Sequence, residues 1–415
     1  MPVSGYKSQY KEYMSQIIQF YPQKMATSNI KAVSLTALPP LALYVHVPWC
    51  VKKCPYCDFN SHELKDDIET WETPYIDALL KDLEHALPLI WGRRLVSVFI
   101  GGGTPSVLSA KAIDVLLAGI RARMPYLADM EITMEANPGT LDNTKLKGFR
   151  DAGVNRVSLG VQSFDDELLQ RIGRIHNGKQ ARDALDTAYT LFDKVNLDIM
   201  FALPEQSFAQ LQQDVRTALA YAPTHLSYYH MTIEPNTYFH RYPPKTPDDE
   251  LALDMQEFIE SSLEGAGMRH YEVSAYAQAG HESQHNSNYW RFGDYLGIGA
   301  GAHSKISSHD GIVRQARFKH PQTYLDAIAK GDGIETREQL SADDLPFEFM
   351  LNALRLRDGA SLNDFHAATG LGLMDLQPAL LHAQEKGLME KQHDILRVTD
   401  LGWRFLSDVQ GMFLN

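Results

Sequence analysis

Residues 44–59 read Tyr44-Val45-His46-Val47-Pro48-Trp49-Cys50-Val51-Lys52-Lys53-Cys54-Pro55-Tyr56-Cys57-Asp58-Phe59, and this stretch holds all three cysteines of the 415-residue chain. The spacing is CxxxCxxC. Thiolates this close repel one another and cannot all enter disulfides, so a soft metal centre that takes several sulfur ligands is the natural use of the pattern. A structural zinc site and a fully ligated iron–sulfur electron carrier each want four protein donors. The chain has no fourth cysteine, and three ligands imply a cluster with one iron left open.

Tyr44 to Val47 is also the first of six short apolar or β-branched runs, the others being 96–100, 131–135, 156–161, 195–200 and 226–231. Between them lie helical-length segments such as 71–86 and 110–123, whose apolar residues recur near i, i+3, i+4. Strands alternating with helices predict a parallel sheet of βα units, here a complete or partial barrel. Several runs end in a polar or glycine-rich signal: the cysteine loop, Gly101-Gly102-Gly103-Thr104-Pro105, Glu135-Ala136-Asn137-Pro138 and Gln162-Ser163-Phe164, while the fifth carries Asp198. In such barrels functional groups gather at the C-terminal ends of the strands, so these signals point at one mouth.

Farther out, a Pro-rich stretch from Glu234 to Pro247 precedes a helix over 249–265 and a strand over 271–276. His285-Asn286-Ser287-Asn288-Tyr289-Trp290 reads as a polar and aromatic loop, and the glycine-rich run 297–304 closes the catalytic domain. The predicted domains are an N-terminal extension, 1–38, a barrel with its closing edge, 39–330, and a linker with a C-terminal module, 331–415. The extension contains a possible amphipathic helix over 6–24 and a second plausible start at Met25. From 346 onward three helical stretches, a short β pair over 388–398 and a last helix read as a smaller, mainly helical, winged-helix-like domain. Six Lys or Arg against nine Asp or Glu in that segment argue against a duplex reader.

Hydrophobic content of 44% with 22% charge fits a folded globular protein, and the net charge of −13 excludes broad electrostatic attachment to nucleic acid or anionic membrane. No apolar run approaches the 18 residues of a membrane span and no secretion signal opens the chain, so the expected compartment is the reducing cytoplasm.

An open iron can chelate a small molecule bearing an amine and a carboxylate, and S-adenosylmethionine fits. Here YVHVPWCxxxCPYCDFNSH, FIGGGTPS, MEANPGT, RVSLGVQSF, IEPNT and HNSNYWRFGDYLGIGAGAHS appear in order. Together they resemble the radical S-adenosylmethionine superfamily, and within it the heme-chaperone HemW branch of the oxygen-independent coproporphyrinogen oxidase-like group. The resemblance implies that Cys50, Cys54 and Cys57 bind a 4Fe-4S cluster, and that Tyr44 and Tyr56 contact the nucleoside of S-adenosylmethionine. Gly102, Gly103 and Thr104 then serve its methionine end, where small residues let backbone groups approach closely. Glu135, Gln162, Arg174 and Asp198 match positions of further cofactor contacts; carboxylates can accept ribose hydroxyl hydrogens and Arg174 can pair with a carboxylate. His46, on the same strand face as Tyr44, reads as a core histidine.

The oxidase branch of that group carries a further cysteine just after the third ligand, where this chain has Phe59. The expectation is a heme chaperone that binds cluster, S-adenosylmethionine and heme and passes heme to apo-hemoproteins, without coproporphyrinogen oxidase activity. The alternative is radical oxidative decarboxylation of porphyrinogen propionates, and a low-potential electron donor is implied if the cofactor is cleaved. His285 beside Tyr289 and Trp290 is apt for heme, because imidazole ligates iron and aromatic rings line a macrocycle; His303 is a second imidazole. Arg291, Arg314, Arg317 and Lys319 are the candidate cations for propionates. Where the family commonly has Gly-Leu-Pro after Asp198, this chain has Ala202-Leu203-Pro204, which predicts a different loop path because alanine resists positive φ.

Overall fold

The computed structural model describes residue 35, residues 37–392 and residues 394–414. The helix expected over 6–24 and the start at Met25 lie outside the described residues. Strands β1 (Leu41–Val47), β2 (Leu95–Gly102), β3 (Tyr126–Ala136), β4 (Arg156–Gln162), β5 (Lys194–Phe201) and β6 (His225–His230) alternate with helices. These are α1 (Ile68–Ala86), α2 (Ala110–Arg123), α3 (Asn143–Ala152), α4 (Gly178–Leu191) and α5 (Phe208–Ala220). Their ends carry the expected signals: Ser109 caps α2, Asp142 caps α3, Gly153 closes α3 in the left-handed region, and Asn177 with Gln180 forms a capping box on α4.

Strict alternation along the strands decides which face carries function. Val45, Val98, Ile132, Met134, Val157, Leu159, Leu197 and Ile199 turn outward into one apolar core with the helices. Their neighbours Ser97, Glu131, Thr133, Arg156, Ser158, Asn196, His225 and Ser227 are buried on the other face. Barrels of this class normally fill their interior with branched aliphatic side chains. Here the inner face is polar, so the space the sheet encloses suits a polar ligand.

After α6 (Asp249–Gly265) come β7 (Arg269–Glu272), β8 (Ala275–Ala277), α7 (Gln284–Trp290), β9 (Asp294–Ile298), β10 (His303–Ser308), β11 (Gly311–Arg317), α8 (Pro321–Ala329) and β12 (Ile334–Gln339). All twelve strands form one sheet in the order β12-β11-β10-β9-β1-β2-β3-β4-β5-β6-β8-β7. β9 through β6 run parallel, β1 lying between β9 and β2, while the strands at both ends are antiparallel. The two edges do not meet, so the barrel is partial.

Three segments differ from the sequence reading. The single strand expected over 271–276 is two strands paired antiparallel. The loop expected at 285–290 is α7, capped by Ser283, whose oxygen accepts from the Asn286 N–H. The expected linker after 331 contains β12, so the sheet extends to Gln339.

The C-terminal module packs α9 (Leu345–Ala353) with helices Leu362–Thr369, Ala379–Glu385 and Leu406–Gly411 around its own core of Phe349, Phe365, Leu376, Val398 and Val409. A two-residue β pair, Ala360–Ser361 with Ile395–Leu396, completes this mainly helical unit. Leu35, assigned from sequence to the extension, is buried in this same core. Among the described residues no helix is long and apolar enough to cross a membrane.

Candidate metal and cofactor site at the barrel mouth

β1 ends in the cysteine loop, and three neighbouring strand ends hold that loop in place. The Gly103 and Thr104 N–H groups donate to Val47 and Trp49 carbonyls, each at 2.7 Å. Asn60 Nδ2 donates to the Ala300 and Lys319 carbonyls at 2.9 Å, tying the far end of the loop to the segments flanking β10 and β11. His46 bridges the Tyr44 hydroxyl (3.0 Å) and the Asn60 carbonyl (2.8 Å), the structural role read for it from sequence.

All three thiols are free, and polar groups face their sulfurs. Thr104 Oγ1 donates to Cys50 Sγ at 3.4 Å, Ser61 Oγ lies 3.9 Å from Cys57 Sγ, and Arg174 Nη1 donates to Cys54 Sγ at 3.7 Å. Burial pushes the Cys50 and Cys57 thiols up, and the neighbouring cysteines add to the effect on each. Among the described residues no group of three His, Cys, Asp or Glu side chains is arranged for a single metal ion. A cluster instead offers each thiolate its own iron. The glycines provide a second test of fit. A Cβ at Gly103 would stand 2.6 Å from the Trp49 carbonyl oxygen, and one at Gly102, where φ is +115°, would strike the His46 ring at 2.6 Å. These positions admit no side chain, which leaves backbone exposed beside the cysteine loop. The donor set and the cradle fit an open-iron cluster and an amino-acid ligand.

Gly103→Ala follows from the same geometry. Backbone at Trp49 or Gly103 must shift, at a cost of about 1–3 kcal/mol, and the shift passes directly to Cys50. A lower Tm and a lower iron content after anaerobic reconstitution are expected; an unchanged iron content would show that the loop tolerates the methyl group.

The remaining expected contacts converge from β3, β4 and β5. Glu135 Oε2 accepts the Gly102 N–H at 3.1 Å; burial, then the charge of Asp198, raise its pKa to about 8. Asp198 accepts from Ser158 Oγ (2.9 Å) and Asn196 Nδ2 (2.8 Å), and burial raises its pKa too. Ser158 and Asn196 escaped sequence reading, although their place on the inner face beside Asp198 follows from strand alternation. Gln162 sits at φ +67°, a conformation costly for a residue with a side chain and common at sites held by their surroundings. Arg174 Nη2 donates to the Gly160 carbonyl at 2.6 Å, linking β4 to Cys54, while among the described residues its buried Nε has no hydrogen-bond partner. Tyr56 packs into a small cluster with Leu168, Ile172 and Phe239 behind the loop. Ala202 does adopt φ +56°, so the turn after β5 keeps a left-handed residue despite the methyl group, contrary to the loop path expected.

A cavity of about 860 Å³ opens beside this cluster of groups, lined by Tyr44, Cys57, Gly102 and Glu135 together with Tyr289, Trp290, His303 and Lys319. Phe59 lies on its rim, 61% exposed. His285 does not line it. Its Nδ1 meets Ser97 Oγ and its Nε2 meets the Tyr289 hydroxyl, both at 2.9 Å, and its ring stacks on Phe99. Burial, with a smaller contribution from Arg156, drops its pKa to about 3. In this conformation both His285 nitrogens are hydrogen-bonded, and Tyr289, which lines the cavity, stands between the imidazole and the opening.

The candidate propionate cations separate as well. Arg317 is buried on Asp82 at 3.1 Å, Arg314 is ion-paired with Glu348, and Arg291 lines a different cavity. Lys319 and the exposed His303 face the mouth.

Residues 44–218 match the radical SAM superfamily and residues 340–405 the HemN C-terminal domain. The chain is 46% identical over 382 residues to heme chaperone HemW of Escherichia coli (strain K12), covering 92% of this chain and 100% of that one. It is 35% identical to heme chaperone HemW of Bacillus subtilis (strain 168), covering 90% and 98%, and 34% identical to a mitochondrial radical S-adenosyl methionine domain-containing protein 1 of Bos taurus, covering 90% and 86%. The solved structure of coproporphyrinogen III oxidase (HemN) from Escherichia coli superposes with a TM-score of 0.78 at 21% identity, covering 97% of this chain and 98% of that one, a likeness of fold. With strand-end groups, cysteine loop and C-terminal module in the same chain, this protein belongs to the HemW family of the radical SAM superfamily.

Proposed function

We propose that this chain is a heme chaperone that holds a 4Fe-4S cluster on Cys50, Cys54 and Cys57 and S-adenosylmethionine on the adjoining strand ends, and that it delivers heme to apo-hemoproteins. The observation that carries the reading is the aromatic-walled cavity that adjoins the cysteine loop in a chain whose extensive relatives are named heme chaperones. When bound, the cluster and its organic partner supply a low-potential one-electron centre; if the partner is cleaved, a low-potential electron donor is required.

The chain's own groups do the rest. Exposed backbone at Gly102 and Gly103 receives the methionine end, Glu135 and Asp198 accept ribose hydroxyl hydrogens, and Arg174 and Gln162 hold the end of β4 against the cysteine loop. Heme seats between Phe59 and the Tyr289-Trp290 wall, a space within the usual size of small-molecule sites. Lys319 offers a cation to a propionate. The Tyr289 hydroxyl caps His285 Nε2, and its withdrawal presents an imidazole that is already neutral, the form that ligates iron.

Anaerobic incubation of cluster-loaded protein with S-adenosylmethionine, a reductant and coproporphyrinogen tests the assignment. No protoporphyrinogen is expected, in keeping with Phe59 in place of a fourth cysteine; stoichiometric conversion would make the protein an oxidase.

A pH dependence follows from Glu135. With its pKa raised to about 8, the carboxyl is mostly neutral at lower pH, and the ionised form is the better partner for hydroxyl donors and a sulfonium. S-adenosylmethionine affinity is expected to rise with pH through this range and level off above it, by up to roughly tenfold per unit. Glu135→Gln should flatten the profile. A wild-type affinity that falls with pH would contradict this role.

A further inference from the structure

At the opposite end of the strands from the cysteine loop, a second cavity of about 610 Å³ lies under the barrel floor. The starts of β4, β5 and β6, the underside of α7 and the Asp358-Gly359 turn of the C-terminal module enclose it. Arg156, the first residue of β4, lines it and is only 4% exposed. Among the described residues its side chain makes one hydrogen bond, from Nη1 to Thr133 Oγ1 at 3.5 Å, and forms no ion pair. A guanidinium held almost wholly out of water without a counter-ion is costly, and the usual resolution is a bound or paired anion.

The other charges around the cavity do not supply that anion. Glu131 is engaged by Lys194 at 3.5 Å, and Asp358 and Glu282 face Arg269 at 3.0 and 3.8 Å. Asp129 sits exposed at the rim. His225 is kept neutral, first by burial and then by Arg156 itself. Arg291 is exposed at the rim and forms no ion pair among the described residues, so it adds a second cation to the opening. The cluster and S-adenosylmethionine positions lie toward the other ends of the same strands; Asp198 is near enough for Arg156 to offset part of its pKa rise, but among the described residues the two form no ion pair.

We propose that this floor cavity is a separate ligand site that binds a small oxyanion, either a carboxylate or inorganic phosphate, through the Arg156 guanidinium with Arg291 at the entrance. Arginine's planar fork matches both anions, and the enclosure removes the competition of bulk water.

Calorimetric titration of the full chain with inorganic phosphate and, separately, with succinate, at constant ionic strength set by NaCl, distinguishes the two sources. Saturable binding of one of them is expected. Arg156→Gln should weaken it at least about tenfold, and Arg156→Lys, which keeps a charge without the fork, by less. Arg291→Gln, on the exposed rim and therefore safe for folding, should weaken it about threefold. Lys319→Gln, at the opposite cavity, should leave it unchanged. Absence of saturable binding for both anions would overturn the site, as would affinities that survive Arg156→Gln in protein with wild-type circular dichroism. If Arg156→Gln fails to fold, Arg156→Lys and Arg291→Gln decide: wild-type affinity in both sinks the proposal.

Discussion

Cys54→Ala protein is expected to fold and to carry no cluster. The apolar core lies on the outward faces of β1–β6 and under the helices; Trp49 of the cysteine loop joins it, whereas Cys54 is half-exposed outside it. Far-UV circular dichroism should therefore match wild type and Tm should fall by only a few degrees, whereas iron and acid-labile sulfide after anaerobic reconstitution should fall to background. S-adenosylmethionine affinity should drop by about a hundredfold or more, because the proposed open iron that would chelate its amine and carboxylate cannot then be held. The same result is expected for Cys50→Ala and Cys57→Ala. Full iron content in any of the three would show that this loop is not the ligand set.

Heme binding should depend as sharply on the His285–Tyr289 pair. His285→Ala is expected to shift or weaken the Soret band and to cost about a hundredfold in affinity, the scale set by loss of an axial ligand. Tyr289→Phe gives the opposite sign: it removes the hydroxyl that caps Nε2 at 2.9 Å, so heme affinity should rise if that hydrogen bond must break on binding. His303→Ala is the internal control, since that imidazole already lies exposed in the cavity. A spectrum unchanged in His285→Ala and lost in His303→Ala would move the ligand to β10.

What the sequence disclosed divides along physical lines. Period-two alternation and capping residues are local signals, so β1–β6, α2 and the convergence of the cysteine loop, Gly102–Thr104, Glu135 and Asp198 at one mouth were legible before any coordinates. α7 was not. Its seven residues are polar or aromatic and sit against the barrel's inner face, so the apolar stripe of a surface helix is missing; only the Ser283 cap hinted at it. β12 was hidden for the complementary reason: Ile334 to Gln339 is nearly all exposed, and backbone pairing with β11 defines it without a buried face. The fate of the basic run depended on partners far away in the chain. Arg317 turns inward to Asp82, 235 residues earlier, while Lys319 two positions on reaches the mouth. Ala202 shows the limit of propensity: surrounding structure imposes positive φ on a residue that resists it.

The most direct test of the heme-chaperone account is an anaerobic heme titration of the cluster-loaded protein, followed by mixing with an apo-hemoprotein. The account predicts saturable binding with a Soret band distinct from free heme, a wild-type iron and sulfide content throughout, and transfer of the heme to the acceptor. Protein that takes up no heme, or that keeps it in the presence of acceptor, would contradict it.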